Sequence, residues 1–110
     1  MAKRAARCPN APSTGAWSMD QIKKCNEWAG KYWFSPATLR FFKSRVGDTV
    51  HQGKGGIYFI SSEVPPYGSR QYTVRRFDPK KYDVGTMGDF QKFATRAAAE
   101  RRAKKLAKGE

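Results

Sequence analysis

Two runs of strand-forming residues, joined by a segment rich in proline and glycine, limit what this chain can build. The stretch from Ile57 to Pro79 reads IYFISSEVPPYGSRQYTVRRFDP. Ile57, Tyr58, Phe59 and Ile60 form an apolar run, and Tyr72 to Phe77 alternates with the two-residue period of a pleated strand. Pro65 and Pro66 cannot continue a ladder and Gly68 can take a positive φ, so the chain leaves the sheet between Val64 and Ser69 and returns as a β-hairpin. Alternation separates Tyr72, Val74 and Arg76 from Thr73, Arg75 and Phe77. The expectation is that Tyr72 and Val74 lie under helices, while Thr73, Arg75 and Phe77 occupy an open face able to meet a phosphate, a guanine edge or a stacked base. The alternative is that Arg75 pairs with Glu63 on the adjacent strand and Phe77 turns inward at a bulge.

A chain of 110 residues makes one domain with one core. Lys plus Arg number 22 against 9 Asp plus Glu, a formal charge of +13 that exceeds what solubility requires and points to a polyanionic partner. The plainer reading is a solvated lysine-rich surface. With 39% hydrophobic and 14% aromatic residues, most of the chain folds rather than serving as a basic tail. No apolar run approaches the roughly 18 to 20 residues of a membrane span, and the basic start MAKRAAR is not followed by a hydrophobic signal core. A soluble, intracellular protein is expected, with no membrane partner and no small-molecule substrate. Cys8 and Cys25 are too few for a disulfide scaffold and lack the second pair of a zinc site, so both thiols are expected to stay reduced. His51, without ligand or catalytic partners, belongs at the surface or on an edge strand.

Residues 1–15 mix Lys3, Arg4 and Arg7 with Pro9, Pro12 and Gly15 and have no apolar period, which predicts a flexible basic arm ahead of one domain over residues 16–108. Losing that arm should hardly move stability. Ser18 with Gln21 forms a capping-box pattern, and a helix follows from Met19 to Ala29, closed by Gly30. Trp17, Trp28 and Trp33 bracket it as core aromatics. Ser35 and Pro36 open a second helix to Val46, with Gly47 at its end and Arg40 and Lys43 on its cationic face. Thr49 to Gln52 suits a short strand. Gly53 to Gly56 is a turn rather than a phosphate loop, because the Gly-Lys-Ser/Thr ending is missing and a strand follows. Asp89 to Ala94 could be a third strand with a bulge or the opening of the last helix, and the strand is preferred. Thr95 caps an alanine-rich helix from Arg96 to about Lys108. Ala99, Ala103 and Leu106 face one way. On the other side Arg101, Lys104, Lys105 and Lys108 recur at i, i+3, i+4 and i+7 as a basic stripe in which Glu100 is the only acid of the helix. The fold class expected is α+β, a small antiparallel three-stranded sheet packed against helices.

The segments FSPATLRFFKSR (Phe34 to Arg45), YFISSE (Tyr58 to Glu63), YTVR (Tyr72 to Arg75) and GDFQKFATRAAA (Gly88 to Ala99) resemble small basic proteins encoded by actinobacterial, including mycobacterial, phages. The resemblance runs from about Tyr32 to Leu106; it implies a phage origin and the host bacterial cytoplasm, and it supplies no site residues. In shape, strands followed by Thr95-Arg96 and an alanine-rich helix resemble the sheet-plus-helix DNA-binding domains of phage integrases and plant AP2 proteins, which use a sheet face against DNA. Double-stranded-RNA-binding domains share the helix, three strands and helix, but lysines start their last helix, where this chain has only Arg96.

Catalysis finds little support: no paired His, and no Ser or Cys with a base nearby. A metal nuclease could draw on Glu63, Asp78 or Asp89, although Asp is common in turns. The function expected is therefore non-enzymatic, without cofactor or metal: binding of nucleic acid, DNA ahead of RNA, through Arg40, Lys43, Thr73, Arg75, Phe77, Arg101, Lys104, Lys105 and Lys108, with Lys3, Arg4 and Arg7 adding affinity. The alternatives are capture of a host protein with an acidic surface and binding of double-stranded RNA.

Overall fold

A computed structural model describes residues 8–13, 15–53, 55–65, 68–88 and 92–109. The elements run α1 (Met19–Trp28), α2 (Pro36–Phe42), β1 (Ser44–Gly53), β2 (Gly56–Glu63), β3 (Gln71–Asp78), β4 (Asp83–Thr86) and α3 (Arg96–Ala107). The fold is α+β, and its sheet is an antiparallel meander in the order β1-β2-β3-β4, four strands rather than three.

Local capping chemistry starts each helix. Ser18 and Gln21 close a capping box on α1, Ser35 accepts from the Thr38 amide ahead of α2 with Pro36 at its start, and Thr95 accepts from the Ala98 amide on α3. The end of α2 departs from expectation: the helix stops at Phe42, because Lys43 turns left-handed at φ 54° and Ser44 enters β1 opposite Glu63. The Ser44 hydroxyl donates to Glu63 at 2.7 Å, and Val46 packs on the core. Long-range pairing overrides a helical signal that ran on to Val46.

The partner of β3 also differs from expectation. Asp78 Oδ1 accepts from the Lys80 and Lys81 amides at 2.8 and 3.3 Å, and Tyr82 (φ 59°) returns its amide to the Asp78 carbonyl at 2.7 Å. That tight turn brings β4 straight back along β3, with Val84 opposite Phe77. Farther along the same edge, Phe93 makes only an isolated bridge to Tyr72. Residues 89–91 of the expected strand lie outside the described residues, and over residues 92–94 that bridge is the pairing described.

Both faces of the sheet are covered. One face carries Ile57, Phe59 and Phe77 against Trp17, Met19, Ile22, Cys25 and Tyr82. The other carries Tyr58, Ile60 and Val74 under Ala99 and Ala103 of α3. Strand β2 is consequently buried at every position, as a strand between two layers must be. The small alanines let α3 lie close, and Gly53 extends that closeness to its last turn, where a Cβ would overlap the backbone of Ala107. Gly53→Ala should therefore cost about 1–3 kcal/mol, the usual price of overpacking, read as a lower denaturation midpoint at unchanged slope. An unchanged midpoint would mean that α3 does not seat on β1 as described.

The amino-terminal segment corrects two expectations. Cys8 and Cys25, 1% and 0% exposed, are bonded to each other across 5.7 Å between Cα atoms, so the thiols are not free. The segment from Cys8 onward is packed rather than loose: the Cys8 amide donates to the Tyr82 hydroxyl at 2.8 Å, and Ala11 lies against the core. Lys3, Arg4 and Arg7 fall outside the described residues. A cross-link with a sequence separation of 17 contributes about 3 kcal/mol in the chain-entropy account. Cys8→Ser should lower stability by roughly 2–4 kcal/mol, and reductant should lower the melting temperature of the native chain but not of that variant.

Candidate nucleic-acid interface

The exposed side of α3 is built by its buried side. Ala99 and Ala103 are fully buried on the sheet, which fixes the rotation of the helix and turns Arg101, Lys104, Lys105 and Lys108 outward, all exposed. These four make no ion pair among the described residues. Lys104 and Lys105 lie in the last turn, where the helix dipole favours cations. Glu100, the acid of the helix, is occupied: His51 Nε2 lies 2.5 Å from Oε1, and Arg96 lies 3.6 Å from Oε2. His51 sits on β1, an edge strand as expected, so this contact also ties α3 to the sheet. Arg96 stacks 5.8 Å over the Tyr72 ring, which leaves the outer ridge to the other cations. From Arg101 to Lys108 the ridge is about 10 Å long at 1.5 Å per residue.

Other basic residues are less concentrated. On α1, Lys24 pairs with Asp20 at 3.1 Å, and just beyond it Lys31 pairs with Asp83 at 3.6 Å; Glu27 is exposed nearby. Arg40 and Lys43 are exposed as expected, but they belong to α2, which is entered through Trp33 and Phe34 on the α1 side of the sheet. The structure thus brings together Arg101, Lys104, Lys105 and Lys108 and sets Arg40 and Lys43 apart from them. Arg102 is also exposed on α3, beside Lys92 and Phe93. Sequence reasoning passed over Arg102 because it falls outside the i, i+3, i+4, i+7 series.

The open sheet face does not exist. Thr73, Arg75 and Phe77 are 0%, 6% and 0% exposed, so none of them is a recognition residue on a free surface. Phe77 points inward with no bulge, since the β2–β3 register is continuous from Ile57↔Phe77 to Glu63↔Gln71. Arg75 pairs with Glu63 inside a closed polar cluster. Glu63 Oε2 accepts from Ser44, Ser61 and Arg75 at 2.7, 2.8 and 3.4 Å, and Oε1 accepts from Thr73 at 2.9 Å. Arg75 also donates to Ser61 at 2.9 Å and to Thr86, and its guanidinium lies 5.1 Å over Trp33. Burial lowers the Arg75 pKa, and the charge of and hydrogen bond to Glu63 oppose that shift. Both Glu63 oxygens are engaged, so the cluster holds β1, β2 and β3 in register and offers no open position to a ligand. Of the other acids considered for metal chemistry, Asp78 caps its own turn and Asp89 falls outside the described residues. Among the described residues no three His, Cys, Asp or Glu side chains converge on a metal position. No helix among them is long and apolar enough to cross a membrane.

A family model described as a family of unknown function (DUF7447) matches residues 18–104, and the chain belongs to that family. No curated protein and no solved structure matches it.

Proposed function

We propose that this member of the DUF7447 family is a non-enzymatic nucleic-acid-binding protein, with DNA its first partner, and that the α3 ridge of Arg101, Lys104, Lys105 and Lys108 is its contact surface. The observation that carries the reading is the sorting of charge on one helix: four exposed cations stand on the outer face, while the acid is held on the flank by His51 and Arg96. Solvated helix faces ordinarily mix signs, and a face cleared of acid suits a phosphate backbone. Such contacts position a strand without reading bases, so affinity should vary little with sequence. Taken with the likeness to actinobacterial phage proteins, the setting proposed is a phage-infected host cytoplasm. Reductants there would act on Cys8–Cys25, and the burial of both cysteines would slow their access.

Fluorescence anisotropy with a labelled duplex tests the proposal. Four phosphate contacts give a log–log salt slope of about −3.6, hence roughly a hundredfold loss of affinity between about 50 and 200 mM salt. Absence of binding at the lower salt would end the proposal.

A second reading, capture of a host protein with an acidic surface, is favoured by Phe41. This aromatic residue is 80% exposed between Arg40 and Lys43 on α2, an aromatic–cation combination common at the centres of protein interfaces. Binding there should resist salt far better than binding to the α3 ridge.

A further inference from the structure

We propose that the hollow beside α3 is a binding site for a single unpaired nucleobase, seated against Phe93 and Arg102 while the α3 ridge holds the phosphates of the same strand. This rests on the nucleic-acid reading above and adds to it a preference for strand form. Two hollows, of about 190 Å³ and about 280 Å³, share Phe93 and Arg102. Met87, Phe93 and Leu106 make an apolar floor, and Lys92, Arg101 and Lys105 stand at the rim. Sites for drug-sized ligands run to about 300–1,000 Å³, so each hollow suits one flat ring system rather than a larger molecule.

Backbone hydrogen bonds hold two of the apolar lining residues before any ligand arrives. Phe93 exchanges backbone hydrogen bonds with Tyr72 at 2.7 and 3.0 Å, which ties its main chain to the sheet. Met87 donates its amide to the Val74 carbonyl at 2.9 Å, and Leu106 comes from α3 itself. A rigid site loses little freedom on binding. Its chemistry is also mixed in a particular way: an aromatic ring and aliphatic carbon lie within one side chain's reach of several cations. A carboxylate would use the cations and leave the floor wet, and an alkyl chain would do the reverse. A nucleobase attached to its phosphate uses both, by stacking on Phe93 and by pairing with Arg102. Continuity with the ridge favours a strand, because a length of about 10 Å spans about three phosphate spacings of about 3.4 Å along one strand, enough for about four phosphates. A base inside a duplex cannot reach the floor, so the site discriminates in favour of an unpaired one.

The test uses the full chain and two labelled DNAs identical except that one carries a single unpaired 2-aminopurine, with affinity read by anisotropy and stacking by 2-aminopurine emission. The unpaired probe should bind about tenfold tighter, with its emission changed on binding. Phe93→Leu, which keeps an apolar floor without a ring, should collapse the ratio of the two affinities toward one. Arg102→Met, at an exposed position where folding is not at stake, should reduce the same ratio. Equal affinities and unchanged emission in the native chain would overturn the pocket while leaving the ridge standing. A ratio that survives both substitutions would also overturn it. Failure to bind either DNA overturns the nucleic-acid reading itself, and the pocket with it.

Discussion

Glu63→Ala should destabilise the protein by about 3–5 kcal/mol, because it leaves the Arg75 guanidinium buried without its counter-ion. The side chain of Arg75 is 7% exposed and that of Glu63 is 0% exposed. Removing the carboxylate also strips the acceptor from Ser44, Ser61 and Thr73, whose hydroxyls point at it within 2.7–2.9 Å. Each hydroxyl that loses this acceptor adds to the cost. An expected companion result separates charge from packing: Glu63→Ala with Arg75→Met should be less damaging than Glu63→Ala alone, since no unpaired charge remains. Denaturant melts of the two variants check this. A single variant with native stability would contradict the cluster as described.

Phe77→Ala should cost about 3–5 kcal/mol, the range for truncating a fully buried aromatic. Phe77 is 0% exposed, its ring lies 5.0 Å from that of Trp17 in an edge arrangement, and Tyr82 is 6.2 Å away. The loss should appear as a lowered melting temperature, with nucleic-acid affinity unaffected wherever the variant is still folded. The opposite pattern, binding lost at unchanged stability, would return Phe77 to a free surface and contradict the two-sided burial of the sheet.

What the sequence disclosed divides by range of interaction. Ser18–Gln21, Ser35–Pro36 and Thr95 state their caps within four residues, so all three helix starts were legible. The outward ridge on α3 was legible for the same reason: Ala99 and Ala103 declare the inner face, and the cations fall on the other. The end of α2 was not, because what halts it at Lys43 is Ser44 meeting Glu63, a partner 19 residues away. Alternation in β3 correctly divided Val74 from Arg75 and Phe77 but could not tell that both sets are covered. A clue lay in β2, where the run IYFISSE has too few large polar residues for a strand with one wet face. Cys8 and Cys25 offered nothing local, since their pairing depends on the segment before α1 folding back over Tyr82.

The central claim is that the α3 ridge neutralises phosphates, and one comparison addresses it directly: the salt dependence of duplex binding by the native chain and by a variant with Arg101, Lys104, Lys105 and Lys108 all changed to Ala. Alanine preserves helix propensity, and all four positions are exposed, so the fold should be retained. The account predicts weaker binding to every sequence alike and a log–log slope flattened by about 3–4 units, close to 0.9 for each cation removed. A folded variant whose slope matches that of the native chain would contradict it.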